Sequence, residues 1–281
     1  MSAHFSANPL TDLRALFAYP FMVHALQAGT IVAITAALIG WFVVLRRESF
    51  VCHTLSVMSF PGASGAALAG LPLASGYYAF CVAGALVVAA GARTAEGRRS
   101  LAGESAVVGT IGAVALALGF LFLSLYGGIL EDLEMLLFGS VVGVTSGQVG
   151  TLLIVAAASL AALVAIGRPL LYASVDERSA RAAGVPVGAL GVVFLVLLGL
   201  AVAAIAQVVG VLLTFALLVA PPATAQLITT RIGRGLVLAV AIALVEVWAA
   251  MTVAYFTNVA LGFVVTTIAL VAYGAARLAQ R

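Results

Sequence analysis

The sequence predicts an all-α polytopic membrane protein, a bundle of about nine transmembrane helices forming one domain over residues 1–281. Three observations support this prediction. Hydrophobic residues make up 64% of the 281 positions and charged residues only 8%, a balance that a soluble domain does not need to fill its core. The apolar residues are gathered into runs of roughly 20, the length that crosses a hydrocarbon layer of about 30 Å. Most charged residues lie between these runs.

Nine apolar runs are the predicted spans: residues 20–45, 54–71, 76–92, 106–126, 148–167, 187–206, 208–222, 235–256 and 259–276. The first is too long for a signal-peptide core, so we expect a retained helix. The stretch 185–228 is too long for one crossing, and Gln207 with nearby Gly210 suits a tight turn that divides it. Residues 127–148 are too polar at their start to span and too apolar later for a free loop, which predicts a short outer-face helix that returns into the membrane.

Arginine placement predicts the orientation. All thirteen basic residues are Arg, and Arg collects on the cytoplasmic side of short loops. A nine-span chain puts only Arg14 on one face and puts all the others on the opposite face: Arg46, Arg47, Arg93, Arg98, Arg99, Arg168, Arg178, Arg181, Arg231, Arg234, Arg277 and Arg281. We therefore expect a multi-pass protein of the cytoplasmic membrane with its N-terminus outside and its C-terminus inside.

Composition also excludes several functions. The chain has no Lys, so it cannot contain a G-x-x-x-x-G-K-[ST] phosphate loop, and any ATP hydrolysis must occur on a partner. We expect no cofactor bound by this chain. The Arg residues are scattered and form no stripe, which argues against nucleic acid as a partner. Cys52 and Cys81 lie on different runs without metal-ligand spacing, so free buried thiols are expected. No nucleophile–base arrangement is apparent, which disfavours an enzyme.

Glu246 is the one acid well inside a predicted span. An ionisable group there costs on the order of 2.5–3.5 kcal/mol by insertion scales and usually faces a cavity or a partner. Two interpretations stay open, namely a structural hydrogen bond to a neighbouring helix and a contact with substrate or a gate. His53, at the start of the second run, is by spacing alone more typical of a satisfied interfacial residue than of a ligand.

An acidic cluster lies on the predicted outer face, at Glu131, Asp132 and Glu134. These carboxylates could attract a cation to the outer mouth of a pathway. They could equally dock a basic partner or simply be solvated.

Residues 173–187, "ASVDERSARAAGVPV", differ from the apolar runs around them. Ser174 and Glu177 match an S-x-x-E capping box, and Asp176 adds a second acid to the first turn, where the helix dipole favours acids. Gly184 and Pro186 are typical of a helix end. The segment predicts a short, capped cytoplasmic helix that cannot bury itself in lipid and therefore needs a protein partner.

Four ordered stretches resemble the permease subunits of metal-type ABC importers, which serve zinc, manganese or iron. The resemblance covers about residues 20–277, and the stretches are "GWFVVLRRESFVCHTLSVMSFPGASGAALAG" (40–70), "LLFGSVVGV" (136–144), "DERSARAAGVPVGAL" (176–190) and "QVVGVLLTFALLVAPPATAQLIT" (207–229). It implies a permease domain that works as a homodimer, or as a heterodimer with a paralogue, with the substrate path between the copies. A separate ATPase would bind ATP, and an extracellular binding protein would deliver substrate near Glu131, Asp132 and Glu134.

The resemblance also implies that residues 174–184 are a coupling helix seated in a cleft of the ATPase. The family's D-E-x-x-A-x-x-x-G-V pattern falls on Asp176, Glu177, Ala180, Gly184 and Val185. Ser174 begins the segment, and Arg178 and Arg181 would add charge to its docking face.

This chain departs from the family at one informative place. Such permeases commonly carry an Asp and a His four residues apart at the start of the second span, where one helical face can pass a divalent cation. The matching positions here are His53 and Val57. A pathway using His53, with Cys52 or Glu246, could pass a soft metal, while a chelated metal or another small solute is equally compatible. The alternative from another class is a self-contained secondary transporter or channel using Glu246 as an ion-coupling carboxylate.

Overall fold

A computed structural model describes residues 19–95, 101–127, 136–139, 144–257 and 259–280. The described part of the chain is almost entirely helical and contains no strand. Its ten helices of six or more residues are α1 (Pro20–Leu45), α2 (Ser49–Leu68), α3 (Leu73–Ala95), α4 (Leu101–Tyr126), α5 (Ser146–Val175), α6 (Glu177–Ala182), α7 (Val187–Val209), α8 (Thr214–Ile228), α9 (Ile232–Thr257) and α10 (Leu261–Leu278). The all-α prediction is confirmed.

Each of the nine predicted apolar runs corresponds to one long helix, and α6 is the additional short one. Within the described ranges, seven of these helices are long and apolar enough to cross a membrane: α1, α3, α4, α5, α7, α9 and α10. The two other helices, α2 and α8, do not meet this criterion, and each has a physical reason. Helix α2 carries several serines and an internal Pro61, and α8 is an apolar helix of only 15 residues.

The division of residues 185–228 occurs at Gly210, close to the predicted place. Gly210 has φ +93° and ends α7, because this left-handed backbone interrupts the helix. Gln207 stays helical, and its side-chain amide donates to the carbonyl of Ala203 at 2.8 Å. Helix α8 then resumes at Thr214, so the predicted span 208–222 is wrong in its bounds: a turn had to follow Gly210 before the chain could become helical again.

A glycine junction, formed by Gly139, Gly210 and Gly262, joins three segments at the end of α7. The backbone N–H groups of Val211 and Leu212 donate to the carbonyls of residues 136 and 137, each at 3.2 Å. A Cβ on Gly210 would lie 2.4 Å from the Gly139 nitrogen, so side chains are excluded by the close approach. Of the predicted returning helix at 127–148, the structure describes residues 127, 136–139 and 144–148. Residues 136–138 form one helical turn, which the junction holds, and residues 146–148 already belong to α5.

The bundle has two groups of helices. Helix α1 packs on α5, α7, α8 and α9, whereas α2 packs chiefly on α3 and α4 and more lightly on α7 and α8. Helix α7 contacts both groups through its pairs with α1 and α3. Small residues permit this packing, because a Cβ on Gly40 of α1 would lie 1.9 Å from the carbonyl oxygen of Leu218. Cys52 and Cys81 are free and buried, as predicted.

Candidate functional site

His53 lies on the second turn of α2, after the tight link that joins it to α1. In that link Arg47 adopts φ +59°, and the Arg46 guanidinium pairs with Glu48 at 2.8 Å. The same guanidinium lies 5.3 Å from the Phe194 ring centroid on α7. These contacts fix the start of α2 and hence the place of His53.

The imidazole of His53 is exposed in the protomer. Its ring stands edge-on to Phe215 of α8, with centroids 5.4 Å apart and an interplanar angle of 81°. Among the described residues, none forms a hydrogen bond or ion pair with this imidazole. Both ring nitrogens are therefore open to solvent or to a ligand, and the two interpretations of His53, as a satisfied polar residue and as a ligand, both stay open. Phe215 carries no signal in the sequence, because nothing in the pattern of α8 places it beside α2.

Val57 follows His53 by one helical turn and is half-buried. Pro61, four residues later, lies inside α2 and has no N–H, so the carbonyl of Val57 lacks its usual helical donor. The ring of Pro61 also crowds this carbonyl, so the exposed ligand that this part of α2 offers is the imidazole of His53. Cys52 is completely buried, so it does not join His53 on an accessible face.

Glu246 lies in the middle of α9 and is 1% exposed. Neither carboxyl oxygen has a hydrogen-bond partner among the described residues, so these residues do not provide the structural hydrogen bond that was one of the two interpretations. The structure does not bring Glu246 to His53. Helix α9 packs on α1, α8 and α10, and within the described ranges it has no extensive contact with α2. Helix α8 contacts both α2 and α9.

No metal cluster is formed in the part of the chain that the structure describes: it contains no group of three or more His, Cys, Asp or Glu able to hold an ion. The outer acids Glu131, Asp132 and Glu134 lie outside the described residues, and their role stays a prediction. The segment that follows them, 136–139, is attached to the glycine junction.

Helix α6 is the predicted polar helix, but its cap differs from the prediction. Asp176 is the N-cap: its carboxylate accepts from the backbone N–H of Ser179 at 3.0 Å and from the Ser179 hydroxyl at 2.5 Å. These bonds, the hydroxyl first, hold the pKa of Asp176 below its usual range. Ser174 lies inside α5 and donates to the carbonyl of Leu170 at 2.6 Å. The Ser174–Glu177 capping box is therefore wrong, because α5 continues to Val175.

The rest of α6 is built as a charged surface on a short rigid element. Glu177 and Arg181 form an i,i+4 ion pair at 2.5 Å, with both side chains more than half exposed. Arg178 is also exposed, whereas Ala180 is fully buried against the bundle. The helix ends as predicted at Gly184, which has φ +81°. One side of α6 thus holds it to α5 and α7, and the other presents charge to a partner.

Relatives with assigned names are similar over nearly the whole chain. The chelated iron transport system membrane protein YfeC of Yersinia pestis is 30% identical over 252 residues, which cover 90% of this chain and 84% of the relative. The manganese transport system membrane protein MntC of Halalkalibacterium halodurans is 29% identical over 254 residues, covering 90% and 85%.

A solved structure and a family comparison agree with these relatives. The solved structure of PsaBC from Streptococcus pneumoniae in complex with Fab matches with a TM-score of 0.84 and 26% identity, covering 95% of this chain and 94% of the other. The ABC 3 transport family matches residues 18–279. The predicted resemblance is confirmed: this chain belongs to the ABC 3 transport family and has the fold of its multi-pass membrane permeases.

Proposed function

We propose that this chain is the permease subunit of an ABC importer that moves manganese, iron, zinc or a chelate of such a metal across the cytoplasmic membrane. The observation that carries the proposal is the match over residues 18–279 together with relatives named for manganese and chelated iron transport. The energy for transport is proposed to come from a separate ATPase, because a chain without Lys cannot contain a G-x-x-x-x-G-K-[ST] phosphate loop.

Helix α6 is proposed to transmit the ATP-driven movement of the ATPase to the permease. Its exposed Glu177, Arg178 and Arg181 suit a charged cleft on the ATPase, and Asp176 and Gly184 keep the helix short and rigid. The Arg distribution supports a cytoplasmic location for α6, with the N-terminus outside. The acids Glu131, Asp132 and Glu134 are then proposed to face the extracellular binding protein. A second permease copy, identical or paralogous, would complete the pathway.

The proposed pathway passes His53. A passage must bind its substrate strongly enough for entry and weakly enough for release. One exposed imidazole provides few ligands per protomer, which suits transit and also suits a metal that arrives with ligands of its own. Imidazole is a good ligand for zinc and iron and a poorer one for a metal that prefers oxygen, such as manganese.

One observation favours a second candidate function. Glu246 is a buried carboxyl group without a described partner, and intramembrane carboxyl groups couple ions in secondary transporters. In that case transport would proceed without ATP and would depend on the ionisable group of Glu246.

Uptake by proteoliposomes containing the permease and its co-purified ATPase tests both candidates. We expect uptake of manganese, iron or zinc, supplied free and chelated, to require ATP. Arg181→Glu should lower ATP-driven uptake about tenfold, because reversing an exposed docking charge adds repulsion on the order of 1.4 kcal/mol. Arg277→Glu is the matched control, since Arg277 is an exposed Arg near the end of α10, outside α6.

The outcomes separate the candidates. Uptake that proceeds without ATP and stops in Glu246→Gln would contradict the ABC importer and support secondary transport. If ATP-driven turnover occurred but did not respond to any of the metals, the proposal that the substrate is a metal would be contradicted, and another small solute would be indicated.

A further inference from the structure

The contact between His53 and Phe215 connects two helices at the residue proposed to meet substrate. A ligating imidazole normally donates its second N–H to a carboxylate or carbonyl, which fixes the ring orientation. Within the described residues His53 has no such partner, and Phe215 is the aromatic ring in contact with it. The edge-on contact with Phe215 therefore restrains the His53 imidazole, whose orientation no hydrogen bond to a described residue fixes.

Phe215 is itself held firmly. It is the second residue of α8 and follows Thr214, whose side chain is fully buried and donates to the carbonyl of Gly210 at 2.7 Å. The preceding turn is bonded to residues 136 and 137 through the glycine junction. The phenyl ring thus projects from a backbone fixed on two sides, while His53 belongs to α2.

We propose that Phe215 is a positioning residue for His53: it fixes the imidazole orientation and closes one flank of the ring, so that substrate approaches from the open flank. This inference rests on the proposed passage of substrate at His53. It adds a residue from α8 that the sequence did not indicate as part of this site. The phenyl ring binds no ion itself; it limits how the imidazole can turn and how much water surrounds it.

The first test measures geometry without substrate. His53→Cys is made in a Cys52→Ala, Cys81→Ala background, and its reaction with a small thiol reagent is timed with the whole complex in nanodiscs. We expect Phe215→Ala to raise the labelling rate about two- to tenfold, because one flank becomes open. Phe120→Ala is the matched control, since Phe120 of α4 stands edge-on to Phe60, which lies on α2 two turns beyond His53, with centroids 5.1 Å apart.

The second test measures function. Phe215→Ala should raise the KM for metal uptake about two- to tenfold, the range expected when an aromatic pair is lost, with little change in the maximal rate. Phe215→Tyr should leave KM near the wild-type value because it keeps the ring. Phe215→Leu should give a KM between those of wild type and Phe215→Ala. In a His53→Ala background, Phe215→Ala should have no further effect on KM, because both residues act on one ligand.

Two results would overturn the inference. Equal labelling rates with Phe215 and with Ala would show that the ring does not shield position 53. If the effects of His53→Ala and Phe215→Ala on KM were additive, Phe215 would act independently of His53, through the general packing of α8. Failure of the metal proposal is distinguishable, because wild-type protein would then transport no metal while the labelling rate still responded to Phe215→Ala.

Discussion

Helices α1 and α5 are both long and strongly apolar, yet their surroundings are opposite. In the most apolar window of α1, 67% of the residues are buried inside the protomer, against 22% in that of α5. In a soluble protein the buried helix would be mostly hydrophobic and the exposed helix would carry many polar residues. In a bilayer both environments are apolar, so the hydrophobic residues of a helix do not reveal which face contacts protein.

The glycines reveal the difference better. In α1 a Cβ on Gly29 would lie 2.5 Å from the Met251 side chain, and one on Gly40 would lie 1.9 Å from the Leu218 carbonyl oxygen. In α5 a Cβ on Gly150 or Gly167 would meet nothing within 4 Å. The same residue type therefore marks close helix packing in one helix and open surface in the other.

The largest expected effect is at Gly40. Gly40→Ala places a methyl group against the backbone of α8, and a backbone carbonyl cannot rotate away as a flexible side chain can. We expect destabilisation on the order of 3 kcal/mol or more, at the upper end for overpacking. Size-exclusion chromatography after a temperature series in detergent would show loss of the folded protein at a much lower temperature than wild type. A wild-type melting profile would contradict the close α1–α8 contact.

A smaller effect is expected at Trp248. Its indole N–H donates to the Thr30 hydroxyl at 3.0 Å, which links α9 to α1. Trp248→Phe should cost about 0.6 kcal/mol, the average for such bonds between membrane helices. Unfolding by increasing fractions of denaturing detergent would measure it, with Thr30→Val as the partner variant. If Trp248→Phe costs as much in Thr30→Val protein as in wild type, the bond contributes nothing.

The smallest effect is expected on α5. Gly150→Ala adds a methyl group to an open surface and removes glycine's conformational penalty, so stability should be unchanged or higher by about 0.5–1 kcal/mol. The same detergent unfolding assay on the isolated protomer would measure this. A clear loss of stability would show that the Gly150 surface is close-packed. The glycines of α1 and α5 would then not differ in their packing.

Much of the fold was predictable because membrane helices must satisfy their backbone internally, so each apolar run had to become a helix. Helix ends were less predictable. Ser174 and Asp176 both have good N-cap chemistry, and only the extent of α5 decides between them. The span after Gly210 was displaced because hydrophobicity continues through the turn, whereas backbone geometry does not.

The candidate site was predictable at His53 and not beyond it. His53 was visible as a polar residue at the start of a span, and a resemblance gave it meaning. Phe215 could not be found, since it lies 162 positions later in the chain and an aromatic residue in an apolar run has no distinguishing pattern. The isolation of Glu246 from His53 depends on which helices pack together, a property that the periodicity of apolar runs does not contain.

The shared residue Asp176 has a mechanical consequence. It ends α5 and begins α6, so no flexible linker separates the two helices. Helix α5 has 30 residues and extends about 45 Å, longer than the hydrocarbon layer is thick. Pro169 removes one backbone donor from α5 seven residues before Asp176, so a displacement imposed on α6 would reach the last turns of α5 directly and would tilt the rest of the helix only as far as α5 resists bending at this proline.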